Sequence, residues 1–161
     1  MKVVKSSRDP PLPERPLKAV ITAGDFYELW ATDLHNGWLA RDLELVRLVD
    51  GTLEPWPSLG IDIGAIGGLG PADVWVSGYG DEGEGLFRFD GSAWTPVDVL
   101  QTFGTSTTYS PSMIAVGDVL YLAPWDGPVA TWDGTTGSLA PSFPDGWESA
   151  WRLRSEEHTS E

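Results

Sequence analysis

The chain has 161 residues, 41% of them hydrophobic, no cysteine and a formal net charge of −14. The charge is uneven: residues 1–18 carry +3, residues 19–153 carry −15 and residues 154–161 carry −2. A body this acidic repels phosphate backbones and anionic headgroups, which argues against nucleic-acid partners and membrane adsorption. The lack of cysteine removes disulfides, thiolate metal sites and cysteine nucleophiles.

Residues 1–17 contain the run "PPLPERP" and read as an extended segment, because proline fixes φ and donates no backbone hydrogen bond. No apolar run suited to a signal peptide or a membrane span is visible. Residues 18–153 are expected to form the folded part. Short apolar segments follow in order, first Lys18 to Thr22 and then Glu28 to Thr32. Asp33 to Trp38 reads as a loop, since Asn36-Gly37 is a hairpin-turn signal and His35 falls beside it. Arg47 to Val49 ends in Asp50-Gly51, and Leu53 to Trp56 follows.

The same order then recurs. Ile61 to Leu69 precedes Asp73 to Ser77; a glycine-rich loop, Tyr79 to Gly85, leads to Arg88-Phe89-Asp90-Gly91 and then to Ala93–Val97. Met113 to Val116 precedes Asp118 to Leu122; Pro124 to Pro128 leads to Thr131-Trp132-Asp133-Gly134 and then to Ser138–Phe143. The segments beginning at Glu28, Asp73 and Asp118 are spaced by 45 residues. Four short strands per unit of about 40–45 residues is the size of a propeller blade. Trp147 to Leu153 reads as the first strand of a fourth unit. The closing "RSEEHTSE", residues 154–161, resembles a translated sequencing adapter, and is expected to be a tail that packs on nothing.

The unit "ADVWVSGYG…GLFRFDGSAWTPV", from Ala72 to Val97, resembles the kelch-like β-propeller repeats of bacterial secreted and surface proteins. Over residues 18–153 the resemblance departs from kelch in lacking a consistent paired glycine, with only Gly67-Gly68 present, and from WD repeats in lacking Gly-His. The resemblance implies an all-β partial propeller of about three blades, with a β-sandwich as the alternative. It also implies an extracytoplasmic or cell-surface setting, and the remaining blades of a longer chain as the partner.

Gly78 to Gly83 fits the G-x-G-x-x-G pattern of dinucleotide loops. That pattern must open a helix whose N-terminus meets the phosphates. Here a strand follows, and Asp81, Glu82 and Glu84 would repel phosphate, so the stretch reads as a hairpin. The same carboxylates make a calcium ion conceivable, although they fit no EF-hand spacing. With His158 in the adapter-like tail, His35 has no partner at ligand spacing, which argues against zinc, and no G-x-S-x-G elbow exists.

Ligands of repeat proteins are usually held by variable loops on a fixed strand scaffold. The loops assigned to the second-to-third strand connections carry His35, Trp38, Tyr79, Asp81, Glu84, Trp125 and Asp126, which are the candidate ligand-binding residues. Aromatic plates with carboxylates suit a glycan or a basic peptide. Trp38 and Trp125 have a competing role as caps of the blade packing, and Trp30, Trp75 and Trp132 read as inter-blade core. The expected function is a non-catalytic binding or adhesion module. The alternative is a non-catalytic part of a carbohydrate-active enzyme. No catalytic or metal residue is assigned.

Overall fold

A computed structural model of the chain describes residues 26–33, 35–106, 112–124 and 127–140. The segments Lys18–Thr22 and Trp147–Leu153, the residues Trp125 and Asp126, and both terminal stretches lie outside the described residues. The described chain is all-β apart from one short helix, and forms three four-stranded antiparallel sheets, each a simple meander. Sheet 1 runs β1 (Glu28–Ala31), β2 (Asn36–Arg41), β3 (Glu44–Val49) and β4 (Thr52–Trp56). Sheet 2 runs β5 (Ile61–Gly70), β6 (Asp73–Gly80), β7 (Gly83–Phe89) and β8 (Trp94–Pro96). Helix α1 (Val99–Phe103) follows; Asp98 caps its N-terminus and Gly104 closes it in the left-handed conformation. Sheet 3 runs β9 (Ser112–Val116), β10 (Val119–Ala123), β11 (Ala130–Trp132) and β12 (Gly137–Leu139).

The strand order of the second and third units follows the sequence expectation. The first unit does not. Glu28 to Ala31 is the first strand of its sheet, and Asn36–Arg41, expected to begin in a loop, is the second. The 45-residue spacing therefore aligned a first strand with two second strands. Asn36-Gly37 is not a turn: both residues lie in the ladder, opposite Val49 and Leu48. Gly37 serves close packing, since a Cβ there would meet the Ala31 Cβ at 2.9 Å and the Trp30 carbonyl at 3.0 Å.

The pairs Asp50-Gly51, Asp90-Gly91 and Asp133-Gly134 join the third and fourth strands of their sheets, in two different ways. Asp50 and Gly51 have φ of 49° and 77° and form a two-residue turn between Val49 and Thr52, as type I′ geometry requires. Asp90 and Asp133 open four-residue turns. The Asp90 Oδ1 accepts from the Ser92 N–H at 2.8 Å, the Ser92 hydroxyl at 2.7 Å and the Ala93 N–H at 3.0 Å. The Asp133 Oδ1 accepts in the same pattern from Thr135 and Thr136. These donors, the Ala93 N–H first and then the Ser92 hydroxyl and N–H, hold the Asp90 carboxyl down at about 2. The Asp133 carboxyl is lowered by the Thr136 N–H first, then by Thr135.

Sheet 2 is the middle layer. Side chains alternate across a strand, so one face of β6 presents Val74 and Val76 and the other presents Trp75. All three are fully buried. The first face joins a core with Trp38, Ala40 and Leu45 of sheet 1, completed by Ile61, Ile63, Ile66 and Phe89. The second joins Leu120, Leu122, Ala130 and Trp132 of sheet 3, with Phe103 of α1. Strand β5 touches both β1 and β9, so the first strands of the three sheets lie side by side. Gly67-Gly68 marks this meeting. A Cβ on Gly67 would meet the Met113 Cβ of β9 at 2.6 Å, and one on Gly68 would meet the Trp30 ring of β1 at 2.9 Å.

A second device recurs at both seams. The Arg47 guanidinium lies over Trp38 of its own sheet, 5.6 Å from the ring centroid, and over Phe89 of the next, 5.5 Å away. Arg88 lies over Trp75 of its own sheet at 5.8 Å and over Trp132 of the next at 4.7 Å. In each case the third-strand arginine faces the second-strand tryptophan in the ladder and is closed by an aromatic of the following sheet.

Candidate functional site

In an antiparallel meander the first-to-second and third-to-fourth connections emerge at one end, and the second-to-third connection at the other. The β2–β3 turn is Asp42-Leu43 and the β6–β7 turn is Asp81-Glu82. The Ile63 N–H donates to the Asp42 carbonyl at 3.1 Å, which brings these tips of sheets 1 and 2 to the same end. The β10–β11 connection contains positions 125 and 126, which lie outside the described residues.

Tyr79, Asp81 and Glu84 thus stand together on one hairpin. Tyr79 and Glu84 face each other in the β6–β7 ladder, and Asp62 faces Tyr79 from β5. Asp62, Tyr79 and Glu84 form an exposed row across three strands, with Tyr79 65% exposed. Asp81 and Glu82, also exposed, form the adjoining turn. Beside the row is a pocket of about 190 Å³ lined by Glu84, Gly85, Leu86 and Phe87 of β7, by Pro96 and Val97, and by Val99 of α1. The glycine stretch opens a strand, β7 from Gly83, where a dinucleotide loop opens a helix. A Cβ at Gly78 would run into the Asp62 carbonyl and one at Gly80 into the Gly60 carbonyl, so these glycines admit the close passage of β5.

His35 and Trp38 do not belong to this end. His35 lies in the β1–β2 connection, where its Nδ1 is 2.9 Å from the Asp50 Oδ1 and its carbonyl accepts from the Asp50 N–H. Asp33 turns back on the same loop, accepting from the His35 N–H at 2.6 Å and the Asn36 N–H at 2.9 Å. The His35 N–H is the main cause of the lowered Asp33 carboxyl pKa. Trp38 is 2% exposed, in β2, with the rings of Trp56, Phe89 and Trp94 packed edge-on against it at centroid distances of 5.0–5.2 Å. It packs in the core between sheets 1 and 2 and offers no plate to a ligand. Trp75 and Trp132 lie in the core between sheets 2 and 3, and Trp30 packs on Gly68.

Asp62 was not among the residues expected from sequence. Counting back from the two-residue Pro71-Ala72 turn in an ideal ladder places Gly64 opposite Tyr79. Bulges between Ile63 and Ala65 and between Gly68 and Gly70 each shift the register by one, and bring Asp62 there instead.

A second, more open cleft of about 430 Å³ lies at the other end, at the seam of sheets 2 and 3. Its walls include Pro71, Asp73, Arg88, Asp118 and Asp133. Asp73 is its hub. The Asp73 Oδ1 accepts from the Trp75 Nε1 at 2.9 Å and the Arg88 Nε at 2.7 Å, and Oδ2 accepts from the Trp132 Nε1 at 2.9 Å. This carboxylate is occupied in tying β6 to β7 and to β11, a structural duty. Among the described residues no group of three or more histidine or acidic side chains is placed to hold a metal ion. No helix among them is long and apolar enough to cross a membrane. Comparison of the chain with protein-family models, curated proteins and solved structures finds no match.

Proposed function

We propose that the chain is a non-catalytic binding or adhesion module, built from three consecutive blades of an incomplete β-propeller, whose ligand is a glycan or a peptide. The blade reading is supported by three successive four-stranded meanders whose first strands lie side by side, and by the repeated arginine clamp at both seams. The observation that carries the binding reading is the exposed row Asp62, Tyr79 and Glu84 beside a pocket at the tip of sheet 2. An exposed aromatic flanked by carboxylates offers stacking and hydrogen-bond acceptors together. The chain's charge of −14 favours neutral or cationic ligands.

The test is a screen of the 161-residue chain on glycan and basic-peptide arrays, repeated with Tyr79→Ala and Asp81→Asn. Binding should fall about tenfold or more with Tyr79→Ala, the usual size of losing an aromatic contact residue. The circular dichroism spectrum should stay unchanged. Binding indifferent to both substitutions would remove this end of the molecule from consideration.

A further inference from the structure

Resting on that binding reading, we propose that the pocket beside Tyr79 takes the side chain of a lysine in an extended basic peptide. Five of its walls, Leu86, Phe87, Pro96, Val97 and Val99, are apolar, and Glu84 is the one charged residue that lines it. A volume of about 190 Å³ lies below the usual range for small-molecule pockets and suits one long side chain. An aliphatic stem gains by leaving water against those walls. Its terminal charge is tolerated only if a counter-charge meets it, and Glu84 supplies one. The Glu84 carboxylate is exposed and has no hydrogen-bond or ion-pair partner among the described residues, so no internal donor has to be displaced.

The surroundings reinforce the sign. Asp62, Asp81 and Glu82 stand on the adjoining row and turn, and Tyr79 lies between Asp62 and Glu84 in the ladder. An ammonium approaching this tip meets four carboxylates and an aromatic face, and an anion is repelled. No arginine or lysine belongs to the row, the turn or the pocket lining.

The probe is an acetylated, amidated pentapeptide with lysine at the centre of four glycines, titrated into the full chain and followed by amide chemical shifts. Companion peptides carry norleucine, acetyl-lysine or arginine at the centre. The lysine peptide should bind at least tenfold more tightly than the norleucine and acetyl-lysine peptides, and its affinity should fall as salt rises. Glu84→Gln, isosteric at an exposed position, should remove about tenfold of the lysine affinity and leave the norleucine peptide unaffected. Val99→Trp should fill the pocket and abolish shifts at Leu86 and Val97. Equal binding of lysine and norleucine peptides, or a Glu84→Gln variant that binds lysine as before, would overturn the proposal. So would preference for arginine, which assigns the pocket to a guanidinium. If glycans bind in the array with Tyr79 dependence while no lysine peptide does, the pocket assignment fails and the wider binding reading stands.

Discussion

Asp50, compared with Asp90 and Asp133, shows how one residue type acquires two duties from its neighbours. Asp50 is the first residue of a two-residue turn, and its carboxylate meets His35 of the β1–β2 connection. Asp90 and Asp133 precede Gly-Ser-Ala and Gly-Thr-Thr, and curl their own turns around one carboxylate oxygen. Folding lowers the Asp90 pKa from an ordinary 3.8 to about 2. A depressed carboxyl contributes stability that is complete above its unfolded pKa and lost as pH falls through the folded one. Acidification from about pH 4 to about pH 2 should therefore weaken the folded state, with Asp133 acting in the same direction. The side-chain carbonyl resonance of Asp90 should titrate with a midpoint near 2, and a midpoint near 4 would show the turn to be open. Trp38 is the opposite case, a side chain whose value is its volume. Removing it from among Trp56, Phe89 and Trp94 leaves a large cavity under the Arg47 guanidinium. Trp38→Ala should cost about 3–5 kcal/mol in urea unfolding, whereas Tyr79→Ala, at an exposed site, should stay within about 0.5 kcal/mol of the parent.

Among the elements, β5 is the most constrained. It is ten residues long, carries two bulges and has a neighbouring sheet on each side. Where β1 and β9 close on it, no side chain fits, which gives Gly67-Gly68 a steric reason. Gly68→Val should push the Trp30 ring away and strain the backbone against the Asp73 carbonyl. The expected loss is about 1–3 kcal/mol, the usual cost of overpacking, read as a lower urea midpoint. The exposed Gly51→Asn change, at φ 77°, should be far milder because asparagine tolerates that region. The outermost strands are protected differently. β8 and β12 have three residues each, and β4 holds Pro55, which offers no N–H to a foreign strand. Association through sheet edges is thus discouraged by design of the strands themselves.

The whole molecule has two further apolar faces. By alternation, the side of sheet 1 away from sheet 2 carries Leu29, Leu39, Val46, Leu48 and Leu53; Leu29 is 64% exposed, whereas Leu39 and Leu48 are each only 6% exposed. The side of sheet 3 away from sheet 2 carries Ile114, Val116, Val119 and Tyr121, with Val116 55% exposed. If further blades normally cover these faces, the 161-residue chain alone should self-associate through them. Its charge of −14 opposes that at low ionic strength. Light scattering should therefore show a mass that rises with protein concentration and rises again with salt, as repulsion is screened. A monodisperse monomer at all salt concentrations would count against uncovered blade faces and in favour of a self-contained sandwich.

Some of this was decided by the chain alone. Val, Leu and Trp in short runs between Asp-Gly pairs dictate strands and turns locally, so the all-β class, the strand order of the second and third units and the hairpin at Gly78 to Gly83 are legible in the sequence. The first unit was misread because Asn36-Gly37 has the local chemistry of a turn while Leu48 and Val49 hold it in a ladder. That is a long-range pairing no short window contains. Trp38 moved from loop to core with it. Asp62 reached Tyr79 only through two bulges, which shift register without a clear mark in the sequence. The arginine clamps and the Asp73 hub join residues up to 59 positions apart and exist only when one sheet lies on the next. Local propensity selected the strands; packing between sheets selected which side chains were left outside to meet a ligand.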